Sequence, residues 1–210
     1  KKVQSSSIKH VQEIIEIDNS FKKSSCDLLF YKGPLLSQEL YDDIGFRQSK
    51  DIDILVDKKD IKVVDIIFTK LGYNRQFNPA FLDKKNFFRL FKDISFYNAE
   101  KKILIEVHWE PLGIAKFFPK TFDEIYQNRR EIKIGEALIG TFSRNDLFHY
   151  LCVHGTMHKW FRLFWLKDID DYIKNYPEIH ESGEKEICKT NNCRSLNTAI
   201  GLVNYLFKND

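Results

Sequence analysis

Apolar residues recur along this chain first at helical and then at strand spacing. Over residues 8–17 (IKHVQEIIEI) they fall at Ile8, Val11, Ile14 and Ile15, one face of an amphipathic helix. The short apolar run Asp27-Leu28-Leu29-Phe30-Tyr31 ends in Lys32-Gly33-Pro34, the pattern of a strand meeting a turn. Proline suits the first turn of a helix and glycine is acceptable as the cap before it, so residues 34–41 are predicted helical. Asp51-Ile52-Asp53-Ile54-Leu55-Val56 reads as a second strand, followed by a helix over roughly 60–71 that ends at Gly72. Two β-rich stretches follow, 87–97 (FFRLFKDISFY) and 103–109 (ILIEVHW), joined through Asn98-Ala99-Glu100-Lys101.

Past Pro111 the pattern changes. Residues 131–141 predict a hairpin around Gly135-Glu136, and Ser143 with Asp146 three positions on is a variant capping box. Helices are expected over 144–158, 160–175 and, in two pieces, 183–207. Phe161, Phe164 and Trp165 fall at helical spacing and are expected in the core. The fold class expected is α/β (α+β). A small mixed sheet flanked by helices would fill residues 1–142, and a helical lobe over 143–210 would close a cleft against it.

Composition narrows the partners. With 210 residues, 43% hydrophobic and 30% charged, the chain is long enough to bury a core without staples, and wholesale disorder is excluded. Lys+Arg 33 against Asp+Glu 30 leaves +3, too little pull to favour a nucleic-acid partner. No apolar run approaches the roughly 18 residues of a membrane span. The opening Lys1-Lys2-Val3 lacks an initiator Met and a signal core, which reads as the trimmed start of a longer chain. Cys26, Cys152, Cys188 and Cys193 lack zinc-motif spacing, so reduced thiols and a cytoplasmic setting are expected.

Candidate chemistry centres on Asp51 and Asp53. Side chains alternate along a strand, so both carboxylates leave one face, their Cα atoms about 6.6 Å apart. That suits one divalent cation, or two about 3.5–4 Å apart. Aspartate is depleted in strands and adjacent like charges destabilise them, which a bound Mg²⁺ or Mn²⁺ would explain; a solvated strand start is the plainer alternative. Upstream, the Gly33 helix start offers backbone N–H groups to phosphate, less the one that Pro34 removes, and Lys32 and Arg47 add positive charge. Downstream, Glu106 and His108 share a strand face, with Glu106 suited to be a third carboxylate. His154 and His158, four apart, could chelate a metal, but Gly155 stands where a zinc-protease motif needs Glu, so packing or cleft lining is the better reading. Asp168, Asp170 and Asp171 diverge around a helix and are read as a solvated or Arg-paired face.

The ordered set Lys32-Gly33, Tyr41, Phe46-Arg47-Gln48-Ser49-Lys50-Asp51-Ile52-Asp53 resembles the signature of the polymerase-β-like nucleotidyltransferase superfamily. With Glu106-Val107-His108-Trp109 and the block from His154 to Arg162, it is most similar to a bacterial family of uncharacterised nucleotidyltransferases, over roughly residues 25–175. It departs from the superfamily in setting Gly33-Pro34 farther upstream of the acids and in carrying Glu106 as the third acid. The resemblance implies Mg²⁺-dependent (or Mn²⁺-dependent) transfer of a nucleoside monophosphate from a nucleoside triphosphate to a small-molecule or protein acceptor. In that reading Asp51, Asp53 and Glu106 bind metal and act in catalysis. Lys32, Gly33, Arg47 and Ser49 hold the nucleotide, and Tyr41, His108, His154 and His158 line the cleft. A toxin-like enzyme modifying tRNA or protein, and a catalytically silent nucleotide-binding module, are the alternatives.

Overall fold

The computed structural model describes residues 2–76, 87–113, 115–179 and 193–207. A long helix α1 (Lys2–Lys22) leads into β1 (Leu28–Tyr31), α2 (Gly33–Tyr41) and β2 (Asp51–Val56). Then come α3 (Ile61–Lys70), β3 (Asn74–Arg75), α4 (Phe87–Leu90), β4 (Asp93–Asn98) and β5 (Ile103–His108). After α5 (Phe122–Gln127) a hairpin of β6 (Arg130–Ile134) and β7 (Ala137–Thr141) precedes α6 (Arg144–Met157), α7 (Leu163–Asn175) and α8 (Cys193–Phe207).

Five strands form a mixed sheet in the order β1-β2-β5-β4-β3, and β6-β7 pair separately. β2 and β5 run parallel; the other pairs are antiparallel. The strand period of two divides the residues of β1, β2 and β5 between opposite faces. On one face Phe30, Ile52, Ile54, Val56, Ile105 and Val107 join a core with Val11, Ile14 and Ile17 of α1 and Val64 and Phe68 of α3. On the other, Leu29, Tyr31 and Leu55 join Leu36 and Leu40 of α2 and the inner residues of α6, α7 and α8. Asp51, Asp53, Glu106 and His108 also lie on that second face, and the cleft opens over them. No helix among the described residues is long and apolar enough to cross a membrane.

Most predicted elements are present, with three differences. Residues 87–90 are a helical turn, and the strand begins at Asp93. Phe87 and Phe91, four apart, stack with ring centroids 5.1 Å apart, and Phe87 also packs on Trp109; that packing outweighs the aromatic preference for strand. Second, α7 starts at Leu163. Lys159 and Trp160 take positive φ (53° and 51°), and the Trp160 ring folds back over Gly155, where a Cβ would lie 2.2 Å from it. Glycine at 155 is therefore what lets the α6–α7 corner close. Third, Cys26 and Cys152 are free and buried but Cys193 is disulfide-bonded, which corrects the expectation of reduced thiols throughout. The first piece of the helix expected over 183–207 lies outside the described residues.

Candidate active site

Register brings the acids together. Asp53 on β2 stands beside Glu106 on β5, and Leu55 beside His108, so Asp51, Asp53, Glu106 and His108 share one sheet face. Ligand atoms of Asp53, Glu106 and His108 all lie within 4.8 Å of one another. His108 Nε2 is 3.3 Å from Asp53 Oδ1 and 3.6 Å from Glu106 Oε2. Yet neither ring nitrogen makes an aligned hydrogen bond, although the side chain is only 5% exposed. A buried imidazole with both nitrogens unsatisfied is costly unless something else ligates it. His108 thus joins the acids as a further candidate ligand. Asp51 lies beside it, half-buried, and accepts from Ser49 Oγ at both its carbonyl oxygen (2.6 Å) and Oδ1 (3.3 Å).

Lys32 closes the floor. Its backbone sits at φ 66°, ψ −154°, a region nearly reserved for glycine and worth about 1–3 kcal/mol of strain. That turn points Lys32 Nζ at Asp53 Oδ1, 3.0 Å away, as Gly33 at φ 50° starts α2. Burial alone would raise the Asp53 pKa, but Lys32 and His108 hold it well below the usual carboxylate range. Burial likewise opposes the charged forms of Lys32 and His108, and the neighbouring carboxylates overcome it and raise both. The nearby His108 imidazole lowers Glu106, whereas burial and the charges of Asp53 and Glu106 raise Asp51.

These groups floor a cleft of about 320 Å³ between the sheet and α6–α7, lined also by Arg47, Gln48, Lys50, Lys92, Pro111, Leu112, Tyr150 and Met157. His154, His158, Phe161, Arg162 and Trp165 complete its far wall. Arg47 is buried, with its N–H on Ser37 Oγ (2.9 Å) and its Nε on Asp168 Oδ2 (2.9 Å). Gly33 and Tyr41 are not in the lining; Tyr41 packs on Phe46 and donates to Asp168 Oδ1 at 3.3 Å. Asp168 is thus an Arg-paired residue at 0% exposure, and Asp170 is buried against Lys174 rather than solvated. Phe161 is 66% and Phe164 38% exposed, so these rings edge the cleft and its surroundings instead of filling the core.

Burial, with the charges of Lys32 and His158, pushes His154 down to about 2. Tyr150, missed from the sequence, bonds His154 Nδ1 through its hydroxyl at 3.0 Å. Its position one helical turn before His154 was the available signal. Lys92, Arg162 and Asp168 had no such local signal.

A family model described as "Uncharacterised nucleotidyltransferase" matches residues 1–208. No curated protein matches the chain. Among solved structures, that of the antibiotic-resistance factor ANT(2'')-Ia is similar at TM-score 0.56 and 10% identity, covering 99% of this chain and 100% of that one. An antigenic nucleotidyltransferase-like protein from Paracoccidioides brasiliensis gives 0.51 at 13% identity, with 80% and 76% covered. The lincosamide antibiotic adenylyltransferase LnuA, lincomycin-bound, gives 0.50 at 15%, with 78% and 94% covered. These likenesses extend to the fold.

Proposed function

The chain belongs to the uncharacterised nucleotidyltransferase family, and on that premise we propose that it moves a nucleoside monophosphate from a nucleoside triphosphate to a small-molecule or protein acceptor in this cleft. The observation that carries the reading is the convergence of Asp53, Glu106 and His108 beside Lys32 on the cleft floor. Asp53, Glu106 and His108, with Asp51 beside them, are the residues to hold Mg²⁺ or Mn²⁺; the unsatisfied nitrogens of His108 fit a ligand's role. A divalent cation there supplies charge neutralisation and Lewis-acid polarisation of phosphoryl oxygens.

The chain's own groups do the rest. Lys32, Arg47 and Ser49 line the cleft and would hold the triphosphate in this reading, Lys32 and Arg47 through positive charge and Ser49 through a hydroxyl. The acceptor oxygen forms a bond to the α-phosphorus as the bond from that phosphorus to its bridging oxygen breaks. Pyrophosphate leaves, and the acceptor's proton passes to Glu106. The antibiotic acceptor named for LnuA supports a small molecule in this role. Incubating the protein with Mg²⁺, each labelled triphosphate and a metabolite extract should release pyrophosphate, and Asp53→Asn should lower the release about 100- to 1000-fold. Nucleotide binding with no turnover under any of these conditions would leave a silent binding module. Labelling of tRNA alone would replace the acceptor class.

A further inference from the structure

The far wall of the cleft differs in chemistry from its floor. Among the described residues lining the cavity, every carboxylate (Asp51, Asp53 and Glu106) stands on the sheet, and none comes from α6, α7 or the corner between them. That corner presents Met157 at 40% and Phe161 at 66% exposure, with Trp165 4.9 Å from Phe161 in an edge-to-face contact. A contiguous exposed apolar surface is a common feature of ligand-binding grooves. The Arg162 guanidinium sits 5.3 Å from the Phe161 ring and 5.6 Å from that of Trp165, with no carboxylate partner among the described residues. Lys92 lines the same cavity, its Nζ 3.5 Å from Asp93 in a half-exposed pair. The charge of Lys92 reaches both His154 and His158, and that of Arg162 reaches His158. Burial is the main cause that keeps both imidazoles neutral, and Lys32 on the floor acts on both as well, so the Arg162 side of the corner carries positive charge with no acid beside it among the described residues.

We propose that this corner is the acceptor subsite, and that it takes a hydroxylated ring compound bearing its own anionic group, a sugar phosphate being the simplest form. The ring would lie on Phe161 and Trp165, because apolar C–H faces stack on aromatic ones. The anion would meet Arg162 and Lys92. A polycationic acceptor is disfavoured by the same charges. The inference rests on the cleft's being a nucleotidyl-transfer site.

The test uses the full chain and inorganic phosphate. Mg²⁺ and a non-hydrolysable ATP analogue are bound to saturation first; failure at this step counts against the parent reading alone. Phosphate is then titrated while tryptophan fluorescence is followed, with Trp165→Phe assigning the signal. We expect saturable quenching, weakened about tenfold or more in Arg162→Gln and less in Lys92→Gln, with analogue affinity unchanged in both. Glucose 1-phosphate should then bind more tightly than glucose. Phosphate that merely competes with the analogue would assign these cations to the triphosphate and overturn the proposal. So would quenching that Arg162→Gln leaves intact, or equal binding of glucose and its phosphate. Should the analogue not bind, the same titration without it decides the subsite by the same variants.

Discussion

The floor and the far wall of the cleft are built from different materials to different ends. The floor is two adjacent parallel strands, where Asp53 and Glu106 stand side by side by register and His108 follows two residues on. Its charges are buried and interlocked, and Lys32 accepts a strained backbone to neutralise Asp53. The wall is a helix corner whose Phe161 and Met157 side chains are exposed and whose Arg162 has no acid to pair with among the described residues. Strand register holds reacting groups to fractions of an ångström, whereas a helix corner tolerates replacement of its surface residues. The contrast teaches that chemistry belongs to the floor and selection to the wall.

Substitutions that separate the two sharpen or break that division. The largest effect should come from Asp53→Asn, which removes one charge from the interlocked set. Pyrophosphate release should fall about 100- to 1000-fold while the fold persists by circular dichroism. Retained activity would take the chemistry off the floor.

Next comes the link between the two regions. Arg47 and Asp168, 9% and 0% exposed, tie the loop before β2 to α7. Asp168→Ala leaves the guanidinium buried and unpaired, and urea unfolding should show a loss of about 3 kcal/mol. A loss within experimental error would mean that the wall is held by apolar packing alone.

The wall's histidine predicts a smaller, pH-dependent effect. Because His154 is held down to about 2 in the folded state, its contribution is complete above the unfolded value of 6.5 and is lost as pH falls below it. In that range the unfolded chain binds a proton that the folded one refuses, a slope of about 1 kcal/mol per pH unit. His154→Gln should flatten the stability profile between about pH 6 and pH 4 by that amount. An unchanged profile would show that the imidazole is protonated in the cleft. Smallest of all is Phe161→Ser at an exposed ring, expected to change stability by less than about 0.5 kcal/mol. A larger loss in thermal unfolding would make Phe161 a packing residue and weaken the wall's claim to bind anything.

Much of the floor was readable in the linear chain because a strand's period of two is a local property. Asp51 and Asp53, and likewise Glu106 and His108, had to share a face once their segments were strands, and the capping of α6 by Ser143 was equally local. Where local signals compete, as in the aromatic run from Phe87, the spacing that tertiary packing rewards prevailed. Pairings across the sequence were another matter. Which residue faces Asp53 on the neighbouring strand depends on register, and that is how Glu106, with His108 two positions on, came to stand beside it. Asp168 looks like a surface acid on its own helix; it is buried because Arg47, 121 positions earlier, meets it there. The joining of Lys92 with Arg162, Phe161 and Trp165 around one cavity follows from how α6 and α7 pack over the sheet. Hydrophobic burial and loop closure set that arrangement, and both are properties of the whole chain rather than of any segment of it.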